Sequence, residues 1–226
     1  EGKAGFFALF ARGSWDEARL LDGLGRRFHG EDVSFKPWPA CRHAHAAIDA
    51  ALALRAGALD PRRILSVTVR GYRDAIVFCD RPTPRTESDA KFSLQHAVAA
   101  AIIRGAPTLA DFTPAAIGDP AIAALRARII VREDARLTQR YPSRFGAGVD
   151  IATTDGALFG ADVDDALGDP ENPASEALLL DKAHRLMRAG GMSQASAAGL
   201  AEAALGLAQG GALSEYRSLL YDAVRA

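Results

Sequence analysis

Phe35 to His45 reads F-K-P-W-P-A-C-R-H-A-H, and it marks a change from an extended segment to a helix. Pro37 and Pro39 remove backbone donors and push the residues before them toward extended geometry, so a strand over Val33 to Trp38 is expected to stop abruptly. A helix then begins near Arg42. Its apolar run includes Ala46, Ala47, Ile48, Ala50, Ala51, Leu52 and Leu54, and Gly57 ends it. Lys36, Cys41, Arg42 and His45 therefore gather near a helix N-terminus, where free N–H groups and the positive end of the dipole attract carboxylates and phosphates. The chemistry indicated is anion binding.

Outward from this junction, Ser14 can cap a helix over Trp15 to Leu24. Ile64 to Tyr72 alternates as a strand. Ala90 to Ile103 reads as one alanine-rich helix, opened by Ser88 or Asp89 and closed by Gly105. Helical patterns follow at Thr108 to Phe112 and Pro120 to Arg126, and Ala127 to Glu133 reads as a strand. Gly148 to Thr154 and Ala157 to Val163 flank Asp155-Gly156, a strong two-residue hairpin signal. From Ser175 onward the pattern is helical, over Ser175 to Ala189, Ser193 to Ala208 and Leu213 to Val224. These elements predict an α+β fold, with a small mixed or antiparallel sheet and helices on one face. The expected organisation is an opening helical segment over residues 1–30, an α+β unit over 31–168 and helices over 169–226.

The chain has 226 residues, of which 49% are hydrophobic, enough for a buried core in one or two domains. Its formal net charge is −1 and no basic stripe with interleaved aromatics appears, so nothing points to nucleic acid. Two cysteines, Cys41 and Cys79, do not make a disulfide framework, and a reducing cytoplasmic setting fits them. No apolar run approaches the ~18 residues of a membrane helix. Serine-hydrolase elbows, Walker loops and dinucleotide fingerprints do not occur.

Three segments together resemble the MmgE/PrpD family, which includes 2-methylcitrate dehydratase, cis-aconitate decarboxylase and iminodisuccinate epimerase. The first is the K-x-[aromatic]-P-x-C pattern of Lys36, Trp38, Pro39 and Cys41 with the H-A-A-I-D of His45 to Asp49. The second is D-A-K-F-S-L-Q at Asp89 to Gln95, and a softer third is G-D-P-E-N-P at Gly168 to Pro173. The resemblance implies a small α+β lid domain followed by helices that return to a larger all-helical domain, with the active site in the cleft between them. Family members are considerably longer and begin with a helical region that supplies the proposed acid and base residues. The opening E-G-K-A-G-F-F-A-L-F reads like the interior of a domain. The chain is accordingly expected to be a C-terminal part, partnered by an N-terminal helical half and forming a homodimer; a natural short form is the alternative.

Lys36 could be an ordinary exposed residue, but the resemblance makes it a candidate to bind a substrate carboxylate or to stabilise enolate-like charge. Cys41 is either a small buried hydrophobe or, beside Arg42 and near Lys36, a thiolate base. Among relatives this position varies, with histidine in the decarboxylase and cysteine in epimerase-like members. His43 and His45 form an H-x-H pair without a further ligand at metal spacing, so no metal is expected. His45 is expected beneath the cleft, Arg42 can clamp a carboxylate or lie at the surface, and Ser93 is a substrate-binding candidate. His96 stands where several relatives carry tyrosine, and could donate a proton or simply be a helix histidine. Lys91 can cap local carboxylates such as Glu87 or face the cleft, and the structural role is the preferred expectation. Asp162, Asp164 and Asp165 lack the glycine and glutamate of a calcium loop and read as a solvated turn.

The expected activity is cofactor-free chemistry on a small di- or tricarboxylate, by proton abstraction beside a carboxylate. Dehydration of a 2-methylcitrate-like acid is the default. Epimerisation or decarboxylation within the family is the alternative, as is a carboxylate-binding or dimerisation module without chemistry.

Overall fold

The computed structural model describes residues 5–12, 14–57 and 59–225. Residues 1–4, on which part of the reading of the opening sequence rests, lie outside the described residues. The chain divides into two compact units, Glu1–Val33 and Ser34–Ala226. In the first unit, short helices α1 (Phe6–Phe10) and α2 (Glu17–Leu21) precede a 3₁₀ turn at His29–Asp32. The cap of α2 is Asp16 rather than Ser14, because its carboxylate accepts from the N–H groups of Ala18 and Arg19 at 3.0 and 3.3 Å.

The second unit opens without a strand. Residues 34–36 form no strand: among the described residues the ladder-like bond there is Phe35 N–H to the Gly168 carbonyl at 2.8 Å, and Pro37 and Pro39 have no donors to continue it. A 3₁₀ turn at Arg42–Ala44 leads into α3 (His45–Ala56). Then come β1 (Ile64–Gly71), α4 (Arg73–Cys79), α5 (Glu87–Lys91) and α6 (Leu94–Arg104). The alanine-rich segment is thus two helices, not one. Ser93 breaks it, because its hydroxyl accepts from His96 N–H at 3.0 Å and caps α6 while donating to the Arg81 carbonyl at 2.6 Å.

A 3₁₀ turn at Leu109–Phe112 is followed by α7 (Pro114–Ile117), α8 (Pro120–Arg126), β2 (Ile129–Glu133) and α9 (Ala135–Arg140). The hairpin β3 (Ala147–Thr153) and β4 (Leu158–Val163) turns at Gly156, whose φ of +85° suits a residue without Cβ. Helices α10 (Glu176–Ala189), α11 (Gln194–Leu207) and α12 (Leu213–Arg225) complete the chain.

The sheet has the order β2-β1-β3-β4, with β1 and β2 parallel and the other pairs antiparallel, which makes the fold α+β. Val67, Val69, Val149 and Ile151 are buried on the sheet face covered by α3, and α6 packs against α3 and β2. Alanines line the contact of those helices: Ala46, Ala47, Ala50 and Ala51 on α3, and Ala97 to Ala101 with Val98 on α6, all buried. Small side chains let the two backbones approach, so α6 is buried on nearly all sides. The opposite sheet face is polar and carries Arg70, which meets Asp134, Asp150 and Asp162. No helix among the described residues is long and apolar enough to cross a membrane.

Candidate active site

The Lys36–His45 segment owes its shape to a clamp from distant sequence. Phe35 bonds to Gly168 as above, and Gly168 has φ +93°; a Cβ there would lie 1.9 Å from the Phe35 carbonyl oxygen. Only glycine allows this approach. The next residue, Asp169, is 4% exposed and accepts from Ser34 Oγ at 2.6 Å and from Arg42 Nη2. Asp49 on α3 adds a second tie, accepting from Trp38 Nε1 at 2.7 Å and Leu167 N–H at 2.8 Å. Burial raises the Asp49 pKa, and those two donors oppose the rise. On the other side, Cys41 N–H donates to the Lys91 carbonyl at 2.7 Å, which joins the first motif to the second.

This clamp builds one wall of a cavity of about 570 Å³. Lys36, Pro37, Trp38, Pro39 and Ala40 form that wall, Lys91 and Pro107 to Ala110 form the next, and α10 contributes Lys182, Arg185, Leu186 and Ala189. Four cations and no acidic side chain line it among the described residues. Arg185 is paired with Asp181 at 2.9 Å and Lys91 with Glu87 at 3.9 Å, whereas Lys36 and Lys182 make no ion pair among the described residues. The Lys91–Glu87 pair expected from sequence is present, and Lys91 faces the cavity as well. An apolar floor with excess positive charge suits a small polycarboxylate.

Cys41, Arg42 and His45 adjoin this cavity without lining it. The Cys41 thiol, partly exposed, is lowered to about 6, first by a hydrogen bond from the Cys79 side chain and further by the backbone N–H groups of His43 and Arg42 and the charge of Lys36. Burial opposes this shift. The same contact and burial push Cys79 up. Arg42 packs its guanidinium over the Phe145 ring at 4.7 Å, and its Nη1 is buried without a hydrogen-bond partner among the described residues. His45 is fully buried, its Nε2 bonds the Ala40 carbonyl at 3.3 Å, and burial then Arg42 lower it to about 4. His43 turns the other way, stacking on Phe78 and bonding Tyr72 Oη through Nδ1 at 2.6 Å. The two imidazoles of the H-x-H pair thus occupy different surroundings.

His96 and Ser93 lie in the interior. Both His96 nitrogens are engaged: Nε2 donates to the Asp111 carbonyl at 2.7 Å, and Nδ1 accepts from Arg126 Nη1 at 3.1 Å. Burial lowers its pKa, which keeps it neutral. In this chain His96 braces α6 against α8 and the 109–112 turn, and Ser93 caps α6. Sequence reasoning missed Lys182, Arg185 and Asp169. The spacing of Lys182, Arg185, Leu186 and Ala189 puts them on one helical face, and that mixed stripe was the available signal.

Comparison with known proteins gives the same segments a context. Residues 38–207 match the MmgE/PrpD C-terminal domain. The chain is 25% identical over 184 residues to cis-aconitate decarboxylase of Mus musculus, covering 79% of this chain and 38% of that protein. It is 31% identical over 140 residues to 2-methylcitrate dehydratase of Salmonella typhimurium, covering 58% and 29% respectively. A 2-methylcitrate dehydratase of Cupriavidus necator is 34% identical over 110 residues, 46% of this chain and 22% of that protein. The chain spans well under half the length of these curated relatives. With the family's domain matched across most of its length, the chain belongs to the MmgE/PrpD family.

Proposed function

We propose that this chain supplies the carboxylate-binding wall of a cofactor-free enzyme acting on a small di- or tricarboxylate. Dehydration of a 2-methylcitrate-like acid is the preferred reaction; the relatives' names also keep decarboxylation in view. The observation that carries this reading is the cavity lined, among the described residues, by four cations and no carboxylate, with two of those cations in no ion pair among the described residues. In the proposed reaction a base removes the proton from the carbon beside a carboxylate. The electron pair becomes the carbon–carbon double bond, and the neighbouring hydroxyl takes a proton and leaves as water. Lys36, held in place by the Gly168–Asp169 clamp, stabilises the charge that grows on the carboxylate. Arg42, turned toward Asp169 and Phe145, positions the segment. The acid and base come from an N-terminal helical half, because Cys41 does not line the cavity and His96 has both nitrogens engaged.

Titrating the chain with tricarballylate, an inert tricarboxylate, tests the binding half of this proposal. Lys36→Met is expected to weaken binding about tenfold or more without moving the melting temperature, and unaltered affinity would remove Lys36 from the site. In a protein that also carries the proposed N-terminal half, the same substitution is expected to lower turnover about a hundredfold. Tight binding with no product from any 2-hydroxy tricarboxylate would favour the non-catalytic module.

A further inference from the structure

Cys41 and Cys79 are the chain's two cysteines, and the fold brings together residues 38 positions apart in sequence by docking the end of α4 against the 3₁₀ turn at Arg42–Ala44. His43 stacks on Phe78 with ring centroids 5.1 Å apart, which fixes that contact from both sides. Cys79 is fully buried, whereas Cys41 is partly exposed. The Cys41 and Cys79 side chains interact, and that contact, the backbone at His43 and Arg42 and the charge of Lys36 all favour the thiolate at Cys41. An accessible thiol so placed is the reactive one, and the buried thiol docked beside it is placed to resolve an oxidised form.

We propose that Cys41 and Cys79 form a reversible dithiol–disulfide pair that responds to peroxide, with Cys41 the reacting and Cys79 the resolving residue. The Cys41 thiolate attacks one oxygen of hydrogen peroxide, the O–O bond breaks, hydroxide leaves and Cys41 becomes a sulfenic acid. The Cys79 sulfur then attacks the Cys41 sulfur. The S–O bond breaks, and the departing hydroxyl takes the Cys79 proton as water. One thiolate and one thiol are oxidised to a disulfide while one peroxide is reduced to a hydroxide ion and a water. Sulfurs in hydrogen-bond contact need only a short approach to reach the ~2 Å disulfide bond. Because Cys41 follows Ala40, the bond would tether the cavity wall to α4. That last consequence rests on the function proposed above, but the thiol chemistry does not.

The test is mass spectrometry of the 226-residue chain after brief exposure to hydrogen peroxide and trapping of free thiols. Expected are the loss of two hydrogens from most chains, a cross-linked peptide pair containing Cys41 and Cys79 within one chain, and full reversal by dithiothreitol. Cys79→Ala and Cys79→Ser are both expected to give no disulfide and to leave Cys41 as a sulfenic acid that dimedone captures. Far-ultraviolet circular dichroism identifies whichever variant keeps the fold. Oxygen adducts accumulating on Cys41 of the parent chain without a disulfide would overturn the proposal, as would a cross-link between chains or no reaction at Cys41. Thiol mass is read without turnover or carboxylate binding, so failure here and failure of the proposed function are separate results.

Discussion

Gly168→Ala puts the clamp to a quantitative test. The added Cβ would lie 1.9 Å from the Phe35 carbonyl oxygen, 3.0 Å from its carbon and 3.3 Å from Pro37 Cδ, so the backbone on both sides has to part. Forcing it apart costs about 1–3 kcal/mol for overpacking. Losing the 2.8 Å bond from Phe35 N–H adds about 1 kcal/mol. Holding alanine at φ +93° adds about 1 kcal/mol more. The sum is about 3–5 kcal/mol, a fall in melting temperature of roughly 10 °C for a chain of this size. Gly156→Ala is the control, since its φ is +85° and a Cβ there meets nothing within 4 Å. It is expected to cost about 1 kcal/mol. Thermal and urea unfolding of the two variants, followed by circular dichroism, isolate the collision. Equal destabilisation would show that Gly168 serves only a turn and that Phe35 to Lys36 is held by something else.

Acid should weaken the fold through His45. Its folded pKa of about 4 lies below the ordinary 6.5, so between those values the unfolded chain binds more protons, and stability falls as pH drops through that window by up to about 3 kcal/mol. His43 and His96, also lowered, act in the same direction; urea midpoints should therefore fall on acidification less steeply in His45→Gln, and an unchanged slope would reject burial of a neutral His45 as the cause. Asp169→Asn strands the mostly buried Arg42 guanidinium and is expected to cost about 3–5 kcal/mol. Adding Arg42→Met should restore part of that loss, and strictly additive costs in the double-mutant cycle would mean that the two do not act as a pair. Lys91→Met should change stability by no more than about 0.5 kcal/mol, given a 3.9 Å pair with Glu87, but should weaken tricarballylate binding; the reverse pattern would return Lys91 to a purely structural role.

Periodic and capped elements were legible in the sequence because their signals are local. The strand Ile64–Gly71 and the hairpin at Asp155-Gly156 lie within a residue or two of their expected bounds, and the helix expected near Arg42 ends before Gly57 as expected but opens as a 3₁₀ turn and becomes α-helical only at His45. What failed was decided by partners far away in sequence. Val33 to Lys36 has strand composition, but its neighbour is the Gly168 turn rather than a strand, and no pattern within the segment says so. Ser93 sits in an alanine-rich run that looks continuous, and only the Arg81 carbonyl above it explains why its hydroxyl ends one helix and starts another. For the site, the lysine and cysteine of the first motif were visible as chemistry-bearing residues. The cations of α10 were not, because a helix with alternating charge reads as a solvated face until the wall opposite it is known.

The polar face of the sheet bears on how the strands find their alignment. Arg70 pairs with Gly148 across β1 and β3, and Gly148 pairs with Asp162 across β3 and β4. The guanidinium crosses directly over the glycine to reach Asp162 at 2.8 Å; a Cβ on residue 148 would lie 2.4 Å from its Nη2. Gly148 is therefore a keyhole, and Arg70 the key that spans three strands through it. A one-residue slip of β3 would present Val149 or Ala147 to the arginine, bury its charge against a side chain and turn the apolar row of β3 to water. Misaligned sheets are thus penalised on both faces at once, although the paired strands lie nearly eighty residues apart and no local turn holds β1 to β3.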